Sequence, residues 1–218
     1  MATTTQLSPA VDWPARARWL AIATMAYNAL EGVVSMGFGV SEGSMALLGF
    51  GVDSWVEVGS AGVVYWKLTR APGCATTARE RERVATRWIG RLFLVLAVGT
   101  ALGAAAQLAS GGHPDSTLPG VVISVLSLSF MVTLWRAKLA AATALDSRAL
   151  AMDAACSRAC IQLSGVLLLG SAICALAPSL WWADAAAALA LSALIGREGW
   201  EAVQSANKES FSGGCGCG

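Results

Sequence analysis

Two carboxylates interrupt a long apolar segment at Gly51-Val-Asp-Ser-Trp-Val-Glu-Val-Gly59. Between Met45 and Trp66 the only charged residues are Asp53 and Glu57, and the segment is long enough to cross a bilayer as a helix. Because an α-helix has about 3.6 residues per turn, both side chains lie on one helix face. A carboxylate at bilayer depth costs at least ~2.5 kcal/mol, so the pair needs a compensating partner. A bound cation is the simplest one.

The composition supports a membrane location for this segment. Of 218 residues, 56% are hydrophobic and 13% are charged, and the mean hydropathy is +0.59. Soluble domains carry about 25% charged residues, so the composition predicts a polytopic membrane protein. We expect an all-α protein of the cell membrane, specifically of a prokaryotic inner membrane. The net charge of +1 gives no reason to expect a nucleic-acid partner. No spacing resembles a hydrolase triad, a phosphate loop or a haem attachment site, so we expect no enzymatic activity and no cofactor.

Six apolar segments follow one another along the chain. We predict membrane-spanning helices at residues 19–40, 45–66, 88–109, 118–135, 147–177 and 180–195. Lysine and arginine are concentrated before the first segment, at 67–91, at 136–148 and in the tail, whereas the other three loops have none. By the positive-inside rule, this asymmetry predicts a six-helix bundle with both termini cytoplasmic.

The same pattern gives the expected domain organisation. Residues 1–15 are predicted to be a flexible leader without a cleavable signal peptide, and residues 16–203 to form the transmembrane domain. Residues 204–218 are predicted to be a short cytoplasmic tail rich in cysteine and glycine. Its Cys215 and Cys217 are either a soft-metal acceptor or part of a tail without a role.

The predicted fifth helix supplies candidate partners for the acidic pair. Cys156 and Cys160 are four residues apart, and Asp153 lies on roughly the same face. The acidic pair lies ten and fourteen residues before Lys67, and the cysteine pair lies ten and fourteen residues after Asp146. At about 1.5 Å per residue, both pairs lie ~15 and ~21 Å into the membrane from the same side. Two carboxylates and two thiolates at matching depths form a four-ligand set suited to tetrahedral metal coordination.

These residues resemble the transmembrane domain of the cation diffusion facilitator family of zinc and heavy-metal transporters. Its second helix carries two acidic residues separated by three positions, as Asp53 and Glu57 are. Its fifth helix follows the pattern Ser-x-x-Leu-x-Ala-Asp-x-x-His-x-x-x-Asp. Residues 147–160 follow this pattern with Met for the Ala and with Cys156 and Cys160 at the His and final Asp positions. The resemblance covers roughly residues 18–203. The family's cytoplasmic metal-binding domain has no counterpart in this sequence, as in the family's short branch.

The resemblance implies a homodimer in the lipid bilayer that exchanges a divalent cation for protons, acting in efflux. It also implies that Asp53, Glu57, Cys156 and Cys160 ligate the metal. Thiolates favour soft or borderline ions, so Zn²⁺ and Cd²⁺ rank first and Mn²⁺, Mg²⁺ and Ca²⁺ rank last.

Several alternatives stay open on the sequence alone. The cysteine pair fits, less well, a thiol-redox protein with a reversible disulfide, and the acidic and cysteine pairs together also fit a metal sensor that does not transport. Arg158 either pairs with a carboxylate or lines a water-filled cavity, because a charge within a membrane helix is costly. Asn28 and Glu31 share a face of the first helix, as accessory ligands or as interhelical hydrogen-bonding groups. His113 is expected to be a surface residue.

Overall fold

The computed structural model describes residues 12–42, 45–70, 75–111, 118–176 and 182–208. Within these ranges the chain forms six α-helices and no strand, which confirms the all-α prediction. The helices are α1 (Trp13–Glu42), α2 (Met45–Thr69), α3 (Ala75–Ser110), α4 (Leu118–Ala144), α5 (Arg148–Leu176) and α6 (Ala183–Asn207). Residues 1–11 of the predicted leader, His113, Cys215 and Cys217 lie outside the described residues.

Three helices extend well beyond the predicted membrane segments. α3 begins at Ala75 and includes most of the arginine-rich region, and α6 continues to Asn207. α4 passes Arg136 without interruption and ends only at Ala144, so the connection to α5 is short. Charged residues end an apolar segment but not a helix, since arginine, glutamate and lysine are good helix formers.

Among the residues that the structure describes, two helical segments are apolar and long enough to cross a membrane, namely Thr76–Ser110 and Val125–Ala144. The sequence predicts six membrane-spanning helices, so the other four stay a prediction. Asp53 and Glu57 lie in the middle of the apolar run of α2 and lower its mean hydropathy. In α5, Asp153 and Arg158 lie in the first half of the helix.

Glycines bring the helices into close contact in two places. A Cβ atom at Gly51 of α2 would lie 2.5 Å from Met36 Cγ and 3.1 Å from the Gly32 carbonyl oxygen of α1. A Cβ atom at Gly90 of α3 would lie 2.9 Å from the Gly199 carbonyl oxygen of α6. These pairs of helices, together with α4 and α5, make the most extensive contacts in the bundle. α2 also contacts α5, and this contact positions the candidate site.

Some charged side chains are buried in the bundle, while many large apolar side chains lie on its surface. Charged side chains are buried inside the bundle, including Glu57 and Lys138, which are 0% and 2% exposed. Large apolar side chains face outward on every helix, with Trp19 of α1 71% and Leu102 of α3 67% exposed. Soluble proteins rarely expose extended apolar surfaces and rarely bury charges.

Candidate metal centre

α2 and α5 face each other along their polar sides. The Cys160 thiol lies 3.3 Å from Asp53 Oδ1, and the Ser60 hydroxyl donates a hydrogen bond of 2.7 Å to Asp153 Oδ1. From Asp53 to Ser60 the chain advances seven residues along α2, and their partners on α5 go back seven residues, from Cys160 to Asp153. This register shows that the helices are antiparallel and that the acidic and cysteine pairs are at the same level, as the sequence predicted.

Three of the four predicted ligands form a compact group. One ligand atom each from Glu57, Cys156 and Cys160 can be chosen so that all three lie within 4.8 Å of one another, and all three residues are buried. Asp53 lies outside this group but contacts it through Cys160. The structure thus brings all four residues to one place, with Asp53 at the edge.

Both cysteines are free thiols, and Cys160 faces both acidic side chains. Its sulfur lies 3.3 Å from Asp53 Oδ1 and 3.4 Å from Glu57 Oε2, at distances at which an S–H group donates to a carboxylate. Such a thiol must lose its proton before it can bind a metal. The arrangement combines two sulfur ligands with two carboxylates, a donor set used by Zn²⁺ and suited to softer ions.

A buried lysine, Lys138, completes the site. It belongs to the basic segment 136–148, which was predicted to follow the fourth membrane helix on the cytoplasmic side. Lys138 Nζ lies 2.7 Å from Glu57 Oε1 and 3.1 Å from Asp153 Oδ2. It also donates a 2.9 Å hydrogen bond to Ser157 Oγ, and the Ser157 hydroxyl in turn donates to Glu57 Oε1. The protein itself thus supplies one cation beside Glu57, which the sequence did not predict.

Glu57 divides its two oxygens between different partners. Oε1 accepts hydrogen bonds from Lys138 and Ser157, while Oε2 faces the Cys160 thiol. The internal ion pair thus leaves Oε2 on the side of the cysteines, where it can bind a metal together with them.

The sequence contains only weak signals that Lys138, Ser60 and Ser157 belong to the site. The chain remains apolar for several residues after Lys138, which indicates that the fourth helix continues past it. Ser60 lies three residues after Glu57, and Ser157 lies four residues after Asp153, so both share the polar faces already identified. Serine is common in such helices, so spacing alone does not distinguish these two residues from the others.

Arg158 points away from the site. Its guanidinium Nη2 lies 2.5 Å from Glu198 Oε1 on α6, and both side chains are about two-fifths exposed, at 43% and 41%. Pairing with a carboxylate was one of the two expectations for Arg158. Asp153 and Cys156, by contrast, lie inside the bundle at 2% and 0% exposure.

Glu31 of α1 makes an interhelical hydrogen bond. It accepts hydrogen bonds from the Tyr27 hydroxyl at 3.0 Å and from the Ser54 hydroxyl of α2 at 3.1 Å. Asn28 instead donates within its own helix, to the Thr24 carbonyl oxygen at 3.0 Å. Glu31 therefore makes the interhelical hydrogen bond that was one of the two expectations for it, and its carboxylate lies near the candidate metal centre.

Comparison with known proteins does not assign the chain to a family. No family model matches it, and no curated protein is significantly similar to it. The resemblance to the cation diffusion facilitators thus depends on the residues of α2 and α5 quoted above and stays a prediction.

Proposed function

We propose that the protein is an integral membrane transporter that exports Zn²⁺ or Cd²⁺ in exchange for protons. The metal is bound between α2 and α5 by Asp53, Glu57, Cys156 and Cys160. The observation that carries this proposal is the buried cluster in which two thiols from one helix face two carboxylates from another.

The surface of the bundle supports a membrane location. Large apolar side chains face outward along the helices while Asp53, Glu57, Asp153 and Lys138 are buried, the pattern expected of a protein surrounded by lipid. Two helices are apolar enough to span by composition, and in this proposal the other four complete a six-span bundle of the cell membrane. Both termini are then cytoplasmic, as the distribution of basic residues predicts.

Proton exchange follows from the chemistry of the ligands. Thiols and carboxylates bind a metal only when deprotonated, so metal binding releases protons and protonation releases the metal. Lys138 and Asp153 do not ligate the metal in this proposal. The number of protons released is therefore determined by the two carboxylates and two thiols that ligate the metal.

Lys138 has a positioning role in this proposal. It holds Glu57 Oε1 through an ion pair, so Glu57 keeps its orientation while the metal enters and leaves. It also adds positive charge beside the metal, which disfavours hard cations that depend on electrostatic attraction. Zn²⁺ and Cd²⁺ gain additional binding free energy from the thiolates and are less affected.

Metal flux into liposomes tests the function. The purified protein is reconstituted with a fluorescent Zn²⁺ and Cd²⁺ indicator inside the vesicles, and a pH gradient is imposed. We expect gradient-dependent uptake that falls by about tenfold or more in Asp53→Ala and in Cys160→Ala, since each removes a ligand. Cys174→Ala is the matched control, because it removes a thiol from the same helix outside the ligand set.

Other outcomes would favour the alternatives. Stoichiometric metal binding without flux would indicate a sensor or storage protein. A Cys156–Cys160 disulfide that forms reversibly under oxidising conditions, with no metal binding, would indicate thiol-redox chemistry. The proposed homodimer is tested separately by the mass of the detergent-solubilised protein.

A further inference from the structure

A polar cavity lies beside the candidate metal centre, between α1, α2, α4 and α5. It has room for about one water-sized ligand. Its polar wall is formed by Asn28, Glu31, Asp53, Ser54, Ser127 and Ser164. Cys160 also lines it, so the cavity and the cluster of thiols and carboxylates share a wall. Apart from this thiol, the polar groups that line the cavity are carboxyl groups, hydroxyl groups and one side-chain amide.

Asn28 contributes an acceptor that lacks a partner. The residue is 1% exposed, and among the described residues no group donates a hydrogen bond to its Oδ1 atom. The amide orientation is fixed because Nδ2 donates to the Thr24 carbonyl oxygen. A buried acceptor without a partner is unfavourable, so a ligand that binds through a positive charge would remove this cost.

The carboxylates of the cavity lack a positive partner. Glu31 is hydrogen-bonded to the hydroxyl groups of Tyr27, Ser54 and Ser127, none of which carries a positive charge. The ion pairs between described residues involve neither Glu31 nor Asp53, whereas Glu57 pairs with Lys138. The cavity therefore contains two carboxyl groups without a cationic partner among the described residues, whereas Glu57 of the neighbouring cluster is paired with Lys138.

We infer that this cavity is a second cation site, which binds one small hard cation through oxygen ligands. Carboxylate, amide carbonyl and hydroxyl oxygens are the donors that alkali and alkaline-earth ions prefer, whereas thiols select softer metals. The two sites thus differ in chemistry while sharing Asp53 and Cys160. A cation in the cavity and a metal at the thiols compete for the charge of Asp53, so binding at one site weakens binding at the other.

Thermal unfolding of the full-length protein in detergent tests the inference. The Tm is measured in Na⁺, Li⁺, Mg²⁺ or Ca²⁺ chloride, with choline chloride at equal ionic strength as the reference. We expect at least one of these cations to raise the Tm of the wild type in a saturable manner. A response to Na⁺ or Li⁺ alone identifies a monovalent site, and a response to Mg²⁺ or Ca²⁺ identifies a divalent one.

Variants locate the response. Asn28→Leu and Glu31→Gln should each weaken the apparent affinity by about tenfold or more, since each removes a ligand or its charge. Ser127→Ala should weaken it as well, whereas Ser129→Ala, which changes an exposed serine of the same helix, should not. If Asn28→Leu fails to fold, the pair of serine variants still decides the question.

The result is separable from the proposed transport function. Cd²⁺ binding at the thiols is followed in the same samples by the ultraviolet absorption of the cadmium–thiolate bond. Cys156→Ser changes a thiol of the cluster that does not line the cavity, so it should weaken this absorption and leave the response to the hard cation intact. If no cation raises the Tm above choline, or if the Ser127 and Ser129 variants respond equally, the second site is disproved even when cadmium binds.

Discussion

Lys138 Nζ lies 2.7 Å from Glu57 Oε1, and both side chains are buried between α2, α4 and α5. A charged pair in such surroundings adds little net stability, because each ion has lost its hydration. Removing one partner is far more costly, since the remaining charge is then buried alone. The pair therefore fixes how the three helices meet, and it distinguishes this site from one that contains only ligands.

Replacing Lys138 by methionine is predicted to destabilise the protein by about 3–5 kcal/mol, because Glu57 and Asp153 lose their shared cation. Denaturant unfolding in mixed micelles measures the change. Adding Asp153→Asn to Lys138→Met should recover part of the loss, since one of the two unpaired charges is removed. Equal stability of the wild type and Lys138→Met would show that Lys138 is not buried as an ammonium ion.

A buried glutamate connects α2, α3 and the start of α5. Glu82 pairs with Lys67 and accepts hydrogen bonds from the Ser147 hydroxyl and, at 2.6 Å, from the Ala149 backbone N–H. Glu82→Ala should lower the free energy of unfolding by about 2–4 kcal/mol, because it leaves these donors and a cation without a partner.

Glu80→Ala is the matched control for Glu82→Ala. Glu80 lies on the same helix, and its side chain is 60% exposed in a 3.7 Å pair with Arg83. Exposed pairs of this kind contribute about 0–1 kcal/mol, so Glu80→Ala should change stability little. Equal effects of the two variants would contradict the network around Glu82.

Gly51 is predicted to tolerate no side chain. A methyl group there would lie 2.5 Å from Met36 Cγ, so Gly51→Ala should separate α1 from α2 and cost about 1–3 kcal/mol. Gly49→Ala is the control, since nothing lies within 4 Å of a Cβ atom at Gly49. This second variant should be neutral or slightly stabilising, because alanine is the better helix former. Unfolding of both variants at the same denaturant concentration would contradict the close contact at Gly51.

The Arg158–Glu198 pair is predicted to contribute weakly. Both side chains are about two-fifths exposed, so a double-mutant cycle with Arg158→Ala and Glu198→Ala should give a coupling energy below about 1 kcal/mol in detergent. Unfolding free energies of the two single variants and the double variant provide the measurement. A coupling of several kcal/mol would place the pair in a drier environment than its exposure indicates.

The sequence predicts the parts of this site that follow from helical periodicity. Six helices, the shared face of Asp53 and Glu57, and the matching depth of Cys156 and Cys160 all follow from spacing and from the distribution of basic residues. These features depend on one helix at a time or on distances measured from a common membrane side. They are therefore accessible without knowledge of how the helices pack.

The remaining features depend on packing between helices. The positive-inside rule treats each lysine as a marker of a membrane boundary, so it places Lys138 at a helix end when the residue is buried within α4. The oxygen-lined cavity combines residues from four helices, among them Asn28 and Ser127, and no spacing along the chain relates these residues. Their proximity depends on how α1 and α4 rotate about their own axes.

X-ray absorption at the zinc edge tests the central claim most directly. Protein loaded with one equivalent of Zn²⁺ should show two sulfur ligands at about 2.3 Å and two oxygen ligands at about 2.0–2.2 Å. Cys160→Ser should lower the sulfur count from two to one, and Cys174→Ala should leave it unchanged. A wild-type spectrum containing only oxygen and nitrogen ligands, identical to that of Cys160→Ser, would contradict a metal centre built from Asp53, Glu57, Cys156 and Cys160.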